Sequence, residues 1–263
     1  MRRDRVLAHA AAVALLIAGC AGIQENAAAQ PPGEIEHLTI TVIGEEPHDP
    51  AAFTQGFEID GTSLFETTGL EDRSQLRELD PATGALRRAV PLPDGYFGEG
   101  MTVVGDSIWQ ITYRDGVAIQ WDKATFTPRR EVPIAGEGWG VCNDGGRIIY
   151  SDGTNRLRFY DPADFTESGS VVVTRSDNES VAGLNELECV DGQVWANVWP
   201  TDEVVRIDPR SGAVTATVDG SVLRHGQPKQ NVLNGIAHVA GNEFLLTGKL
   251  WPTTYRVRLD GGA

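Results

Sequence analysis

Basic residues are scarce in this chain: 22 lysines and arginines face 37 aspartates and glutamates over 263 residues, a net charge of -15. A surface of that sign repels phosphate backbones, which excludes nucleic acid as a partner. Histidine is scarcer still, with five in all, and His37, His48, His225 and His238 are scattered without the short spacing of a zinc site. No Asp-rich calcium loop is present. Long apolar runs are missing too, since Ala8 to Ile17 is too short to span a bilayer stably. Helical periodicity is nearly absent, which argues against a helical domain. What remains is 41% hydrophobic content, enough for one sizeable core. Short β-rich runs recur between Gly, Asp and Pro signals, the pattern of an all-β chain.

The N-terminus reads as an export signal: Arg2, Arg3 and Arg5, the apolar run, then Ile17-Ala-Gly-Cys20. Ile-Ala-Gly-Cys resembles the bacterial lipobox. Residues 1–19 are therefore expected to be a lipoprotein-type signal peptide and Cys20 the lipidated first mature residue. The product would be an exported cell-envelope lipoprotein, held at the membrane through its lipid anchor only. Ordinary secretion, with Cys20 incidental, is the alternative, because Ala18-Gly19 also suits general signal cleavage. Losing three arginines and Asp4 removes a net +2 and leaves about -17. Residues 20–34, with Ala27-Ala-Ala-Gln-Pro-Pro-Gly33, have no apolar period and read as a flexible tether. Residues 35–263 form the folded domain. Cys142 and Cys189 are then expected to meet as a disulfide in an oxidising compartment, with two buried thiols as the alternative.

An internal repeat organises that domain. Two apolar runs flank a turn in Phe57-Glu-Ile-Asp-Gly61-Thr-Ser-Leu-Phe65, Met101-Thr-Val-Val-Gly105-Asp-Ser-Ile-Trp109, Val141-Cys-Asn-Asp-Gly145-Gly-Arg-Ile-Ile149, Leu187-Glu-Cys-Val-Asp-Gly192-Gln-Val-Trp195 and Ile236-Ala-His-Val-Ala-Gly241-Asn-Glu-Phe244. A third run ends each unit at Asp80, Asp122, Asp161, Asp208 or Asp260, where an Asp-Pro step or its variant stops a strand. Fourth strands follow in the first four units only. The unassigned run His37 to Ile43 can complete the fifth. Five four-stranded units predict a five-bladed β-propeller whose last blade is closed by an N-terminal strand.

In that architecture the first strand of each unit lines the axis. Counting six residues back from each turn glycine places Gln55, Glu99, Trp139, Glu186 and Gly235 in one ring at the mouth. Thr54, Gly98, Gly138, Asn185 and Asn234 come one step earlier. By the same count Cys142 and Cys189 sit at equivalent places on neighbouring units, within reach of bridging geometry. Convergent amides, carboxylates and an indole are what a small-ligand pocket requires.

Seven stretches in order, Phe53-Thr-Gln-Gly-Phe57, Phe97-Gly-Glu-Gly-Met101, Gly138-Trp-Gly140, Leu184-Asn-Glu-Leu-Glu188, Trp195-Ala-Asn-Val-Trp199, Val232-Leu-Asn-Gly-Ile236 and Thr247-Gly-Lys-Leu-Trp-Pro252, resemble the plant-type glutaminyl-peptide cyclotransferases. The resemblance covers about residues 37 to 260. It implies a five-bladed propeller enzyme that converts the N-terminal glutaminyl residue of a peptide to pyroglutamyl with release of ammonia. It implies no required cofactor, zinc included, although family members can hold a structural calcium ion in the channel, near Glu186 and Glu188 here. The chain is expected to act as a monomer on N-terminal glutaminyl peptides.

Carried onto this sequence, the resemblance makes Glu99 the proton shuttle and Lys249 its electrostatic partner or that of a developing oxyanion. Gln55 and Asn185 offer amides to the substrate. Phe53, Phe97, Trp139 and Trp199 wall the pocket, with Tyr113 near a place where the family often has tryptophan. Plainer readings stand beside these. Glu99 can simply bond adjacent amides, Lys249 can lie along a sheet edge with its charge in water, and tryptophans such as Trp109, Trp121 and Trp195 are packing residues. Two other classes remain open, a metal-dependent propeller lactonase or hydrolase and a noncatalytic envelope propeller that binds peptides.

Overall fold

The computed structural model describes residues 34–176 and 178–261. The expected signal peptide, Cys20 and nearly all of the tether lie outside the described residues. The described chain is all-β but for one short turn of 3-10 helix at Gly220–Leu223.

A long first strand, β1 (Glu36–Pro47), precedes five units. These are β2 (Thr54–Asp60) to β5 (Leu86–Pro91), β6 (Gly98–Val104) to β9 (Pro128–Pro133), β10 (Gly140–Asn143) to β13 (Glu167–Val172), β14 (Leu184–Val190) to β17 (Val214–Asp219), and the three strands β18 (Leu233–Ala240), β19 (Glu243–Gly248) and β20 (Thr253–Gly261). Each unit is an antiparallel meander. β1 runs antiparallel to β20 from Leu38 opposite Gly261 to Pro47 opposite Thr253, so it supplies the strand that the fifth unit lacks. Three parallel pairs at Glu36–Leu38 also tie β1 to β17, which merges the fourth and fifth units into one eight-stranded sheet beside three four-stranded ones.

The predicted punctuation is what shapes the units. All five turn glycines, Gly61, Gly105, Gly145, Gly192 and Gly241, lie at φ between +56° and +89°, where a side chain would be strained. Asp80, Asp122, Asp161 and Asp208 each accept a backbone N–H two or three residues on, closing the loop after the third strand. In that loop the first and fourth units use Gly84 and Gly212 at positive φ, whereas the second and third use Phe126 and Phe165. A left-handed phenylalanine costs about 1–2 kcal/mol, and burying its ring returns about 1.5–3 kcal/mol. Both rings are 5% exposed, so burial wins. Arg88 covers Phe126 at 3.7 Å and donates to the carbonyls of Lys123 and Ala124, closing the seam between the first two units from outside.

The apolar core is divided among the seams between units. Phe65, Met101, Ile119 and Trp121 join the first unit to the second, Trp109, Ile111, Val141 and Tyr150 the second to the third, and Ile149, Leu157, Leu187 and Val205 the third to the fourth. Trp195, Val204, Ile236 and Phe244 join the fourth to the fifth, and Phe57, Leu64, Ala237 and Leu245 the fifth to the first. The first strands follow the same circuit, with β2 beside β6, β6 beside β10, β10 beside β14, β14 beside β18, and β18 beside β2. Cys142 and Cys189 form a disulfide across the third seam, with Cα atoms 5.5 Å apart. They do not occupy equivalent positions: Cys142 faces Ile149 and Cys189 faces Val194, one step further along the strand.

The ring at the mouth needs a correction in the fourth and fifth units. Thr54, Gly98, Leu184 and Leu233 pair at the same register in their hairpins, so the residues that follow, Gln55, Glu99, Asn185 and Asn234, are equivalent, with Trp139 between Glu99 and Asn185. Glu186 and Gly235 belong one level deeper. The six-residue count slipped because Gly192 is the second residue of its turn and because β18 carries a bulge between His238 and Ala240.

That deeper level consists of Gly56, Gly100, Gly140, Glu186 and Gly235. A methyl group on Gly140 would stand 1.9 Å from the carbonyl oxygen of Asn185, so the strands approach too closely for any side chain there. Glu186 is the exception, and it reaches across to accept the N–H of Phe57 at 3.2 Å and of Ile236 at 2.9 Å. Glu58 accepts from Val103 N and Glu188 from His238 N in the same manner.

Desolvation at the axis pushes Glu58 up to about 7, against its bonds from Thr102 and Val103. It carries Glu186 and Glu188 well above the usual carboxylate range. A group that holds its proton to higher pH in the fold than in the unfolded chain stabilises fully below its unfolded pKa, near 4.5, and that contribution fades as pH rises through the folded value. Urea midpoints are therefore expected to fall between pH 4.5 and 7. His48, whose pKa is raised above 6.5, adds a decline in the same direction above that value. A midpoint that rises across this interval would mean that the axial carboxyls are ionised in the fold.

Candidate active site

Above the glycine level the side chains open into a cavity of about 210 Å³ lined by Phe53, Gln55, Phe97, Glu99, Tyr113, Trp139, Asn185, Trp199 and Lys249. All eight residues assigned from sequence to catalysis or substrate binding are among these nine. Its floor is polar and buried, formed by Gln55, Glu99, Asn185 and Lys249, and its rim is aromatic and half-buried or exposed.

Each floor residue is held by its own seam. Glu99 lies on β6, where Thr67 of the first unit donates to its carbonyl at 2.6 Å. Ser151 of the third unit does the same for the carbonyl of Asn185 at 2.7 Å. Lys249 follows β19 in a turn fixed by backbone bonds from Lys249 N to Val232 and from Leu250 N to Ala52, with Leu250 at φ +62°.

His48 staples that turn. Its Nδ1 is 2.7 Å from the carbonyl of Trp251 and its Nε2 is 2.9 Å from Oε1 of Glu66. Both neighbours are acceptors, so the ring must carry two protons. Burial alone would lower its pKa, but the charge and bond of Glu66 outweigh that. Arg77 holds the other oxygen of Glu66.

Glu99 is 5% exposed and accepts on Oε1 from Nε2 of Gln55 at 2.8 Å. Burial pushes its carboxyl well above the usual range; the Lys249 charge pulls it back and the Glu137 charge adds to the rise. Burial in turn lowers the Lys249 ammonium, which the Glu99 charge opposes. Lys249 Nζ lies 4.8 Å from the centre of the Phe53 ring, and among the described residues no carboxylate forms an ion pair with it. A carboxyl whose pKa is raised by burial and a cation without a paired anion among the described residues thus face one small space. Such a site can bind a flat amide, hold an ammonium against aromatic faces, and pass protons.

The rim rings stack edge to face. Phe53 meets Phe97 at 6.2 Å and 90°, and Trp139 meets Trp199 at 5.6 Å and 86°. Trp199 is 45% exposed, the most open wall.

A model of the glutamine cyclotransferase family matches residues 11–259. The Arabidopsis thaliana protein named glutaminyl-peptide cyclotransferase is 36% identical over 228 residues, 84% of this chain and 71% of that protein. The crystal structure of Myxococcus xanthus glutaminyl cyclase superposes with a TM-score of 0.81 at 35% identity, covering 88% of this chain and all of that one. The chain belongs to the glutamine cyclotransferase family.

Two residues of this family member's site escaped the motif reading. Tyr113, near a place where the family often has tryptophan, lines the cavity and packs against Phe97 at 5.6 Å. Glu137 stands behind the wall, accepting from Trp139 Nε1 at 3.1 Å and from Arg114 Nε at 2.8 Å. Burial raises its carboxyl, but the Trp139 and Arg114 bonds outweigh that and keep it ionised. Gly136-Glu-Gly138 repeats the Gly98-Glu-Gly100 tripeptide, a signal that was available in sequence.

The tryptophans read as packing residues, Trp109, Trp121 and Trp195, lie in the seams. His37 meets Thr217 Oγ1, His238 the carbonyl of Gly241, and His225 the ring of Tyr255. Among the described residues no group of three His, Cys, Asp or Glu side chains is arranged to hold a metal. Of the axial carboxylates, Glu58 and Glu186 point both oxygens at backbone N–H groups and Glu188 points one.

Proposed function

We propose that this protein is a glutaminyl-peptide cyclotransferase acting on peptides with N-terminal glutamine. One observation carries the reading: Gln55, Glu99, Asn185 and Lys249 converge under an aromatic rim on a cavity sized for a single residue. The family match supports it.

The fold is read as a five-bladed β-propeller, each four-stranded unit a blade and β1 completing the last. The cavity would fold the glutamine so that its α-nitrogen lies against its own side-chain Cδ, a near-attack conformer. The nitrogen bonds to Cδ and gives a proton to Glu99. The carbonyl electrons move onto oxygen, where Lys249 and a side-chain amide of the floor stabilise the charge. As the carbonyl reforms, the bond from Cδ to the amide nitrogen breaks, and Glu99 returns the proton so that ammonia leaves and the lactam remains. A raised carboxyl pKa suits both transfers, because the free amine titrates at about 7.7–8. Trp139 and Trp199 flank the outlet where the peptide continues. No step draws on a metal, zinc included, and the protein works as a monomer. Export, lipidation at Cys20 and attachment at the cell envelope complete the reading, placing the enzyme among exported peptides.

Incubation with Gln-Ala, with and without a chelator, is the test. Ammonia and pyroglutamyl-alanine formed at equal rates in both samples are expected. Turnover of lactones alone would instead assign a propeller hydrolase, and binding of Gln-Ala without turnover a peptide-binding propeller.

A further inference from the structure

Asn234 is fully buried one bond behind the cavity, and it decides which end of Gln55 faces Glu99. Its Nδ2 lies 2.9 Å from the backbone carbonyl of Thr54 and 3.0 Å from Oε1 of Gln55. The two ends of a side-chain amide look alike in shape, so orientation has to come from neighbours whose polarity is fixed. A backbone carbonyl can only accept. It therefore holds the Asn234 NH2 in place, and that NH2 can be met only by the oxygen of Gln55. The Gln55 NH2 is left pointing at Glu99 Oε1, 2.8 Å away.

We propose that Asn234 is a positioning residue for the reaction: anchored on the Thr54 carbonyl, it sets the orientation of the Gln55 amide so that Gln55 donates to Glu99 Oε1 and leaves Oε2 to exchange protons with the substrate. The inference rests on the cyclotransferase reading, since only there does Glu99 carry a proton between two nitrogens. It gives the two carboxyl oxygens different tasks. Oε1 is occupied by a donor that the substrate does not supply. Oε2 makes no hydrogen bond to any described residue, and Glu99 lines the cavity.

Without Asn234 the Gln55 amide is free to turn, and its carbonyl can face the carboxyl instead of its NH2. The ionised form of Glu99 would lose a donor and meet a dipole of the wrong sign, so its pKa would rise. The other groups that act on Glu99, namely Lys249 from the turn after β19, Glu137 from the segment before β10, Tyr113 across the cavity and Tyr150 of β11, are untouched by a change of Asn234 to alanine.

Asn234→Ala and Asn234→Asp test this against the wild type by two measurements. The first is the pH profile of kcat/KM on Gln-Ala. The second is the carboxyl titration of Glu99 followed by 13C NMR, assigned by its disappearance in Glu99→Gln. The acid limb and the NMR pKa are expected to move up together by about one unit in Asn234→Ala. The shift should be larger in Asn234→Asp, which needs the NH2 end of Gln55 for itself. An unshifted limb and titration in either folded variant would overturn the proposal, even with a lower kcat, because mere loosening of the site lowers rate without moving the titration. A wild type inactive on Gln-Ala would defeat the cyclotransferase reading, while the NMR titration would still decide whether Asn234 controls the Glu99 environment. If the alanine variant does not fold, Asn234→Ser, which adds no charge, carries the test.

Discussion

Glu99→Gln is expected to lower kcat on glutaminyl peptides by about 10²–10⁴, the usual worth of a positioned general acid and base. The substitution keeps the shape of the side chain and one acceptor for Gln55 Nε2, so the 2.8 Å bond can survive. It removes the only ionisable oxygen facing the cavity from β6. The substrate would bind and fold in the variant, but the attacking nitrogen could not shed its proton to the protein and the leaving nitrogen could not acquire one. KM should therefore change much less than kcat. Stability should hold or rise, because desolvation disfavours a carboxylate at this place and a neutral amide avoids that penalty. Ammonia release and urea midpoints on the same samples check both halves. Turnover within a few fold of wild type in the folded variant would remove Glu99 from the proton path. Activity in the wild type should also fade at low pH, as the proton no longer leaves Glu99 between turnovers.

The parts of this site that could be read from sequence are those where one residue type has one use. Lysine in Thr247-Gly-Lys249 is conspicuous because it closes an apolar run, and glutamate between Gly98 and Gly100 because it interrupts a stretch of small residues. The repeat was legible for a similar reason, since turn glycines and strand-ending aspartates recur at nearly regular spacing. Depth along the axis was not legible in two units. It depends on where each turn places its glycine and on a single bulge, and one residue of slip converts a pocket amide into a buried carboxylate. Asn234 was written into the right motif but left without a task, because nothing in a linear chain shows that its amide meets the carbonyl of Thr54, 180 residues away. Glu137 and Tyr113 act through partners in adjoining turns and were hidden in the same way.

Glu186→Ala is expected to be the most damaging single change to the fold away from the cavity. Four of the five first strands carry glycine at this level, and at Gly56, Gly100 and Gly140 the neighbouring backbone comes too close for a side chain to fit. Glu186, 2% exposed, is the one side chain in that space, and its two oxygens take the N–H groups of Phe57 and Ile236 from two other units. Truncation to alanine leaves both donors facing a gap. At about 1–3 kcal/mol for each unsatisfied buried group, the loss should be on the order of 2–6 kcal/mol, less whatever an entering water restores. The raised pKa of this carboxyl says that it favours the protonated form, which glutamine imitates with one acceptor and one NH2. Glu186→Gln should therefore lose clearly less than Glu186→Ala, and the losses of both relative to wild type should shrink as pH rises and the wild-type carboxyl ionises. Urea unfolding of the three proteins at pH 5 and pH 8 measures this. Midpoints of both variants equal to that of the wild type would show that the Glu186 carboxyl does not serve the two N–H groups. Because Asn185 is the next residue, the alanine variant should also raise KM for Gln-Ala while Glu99 and its pH profile stay where they are.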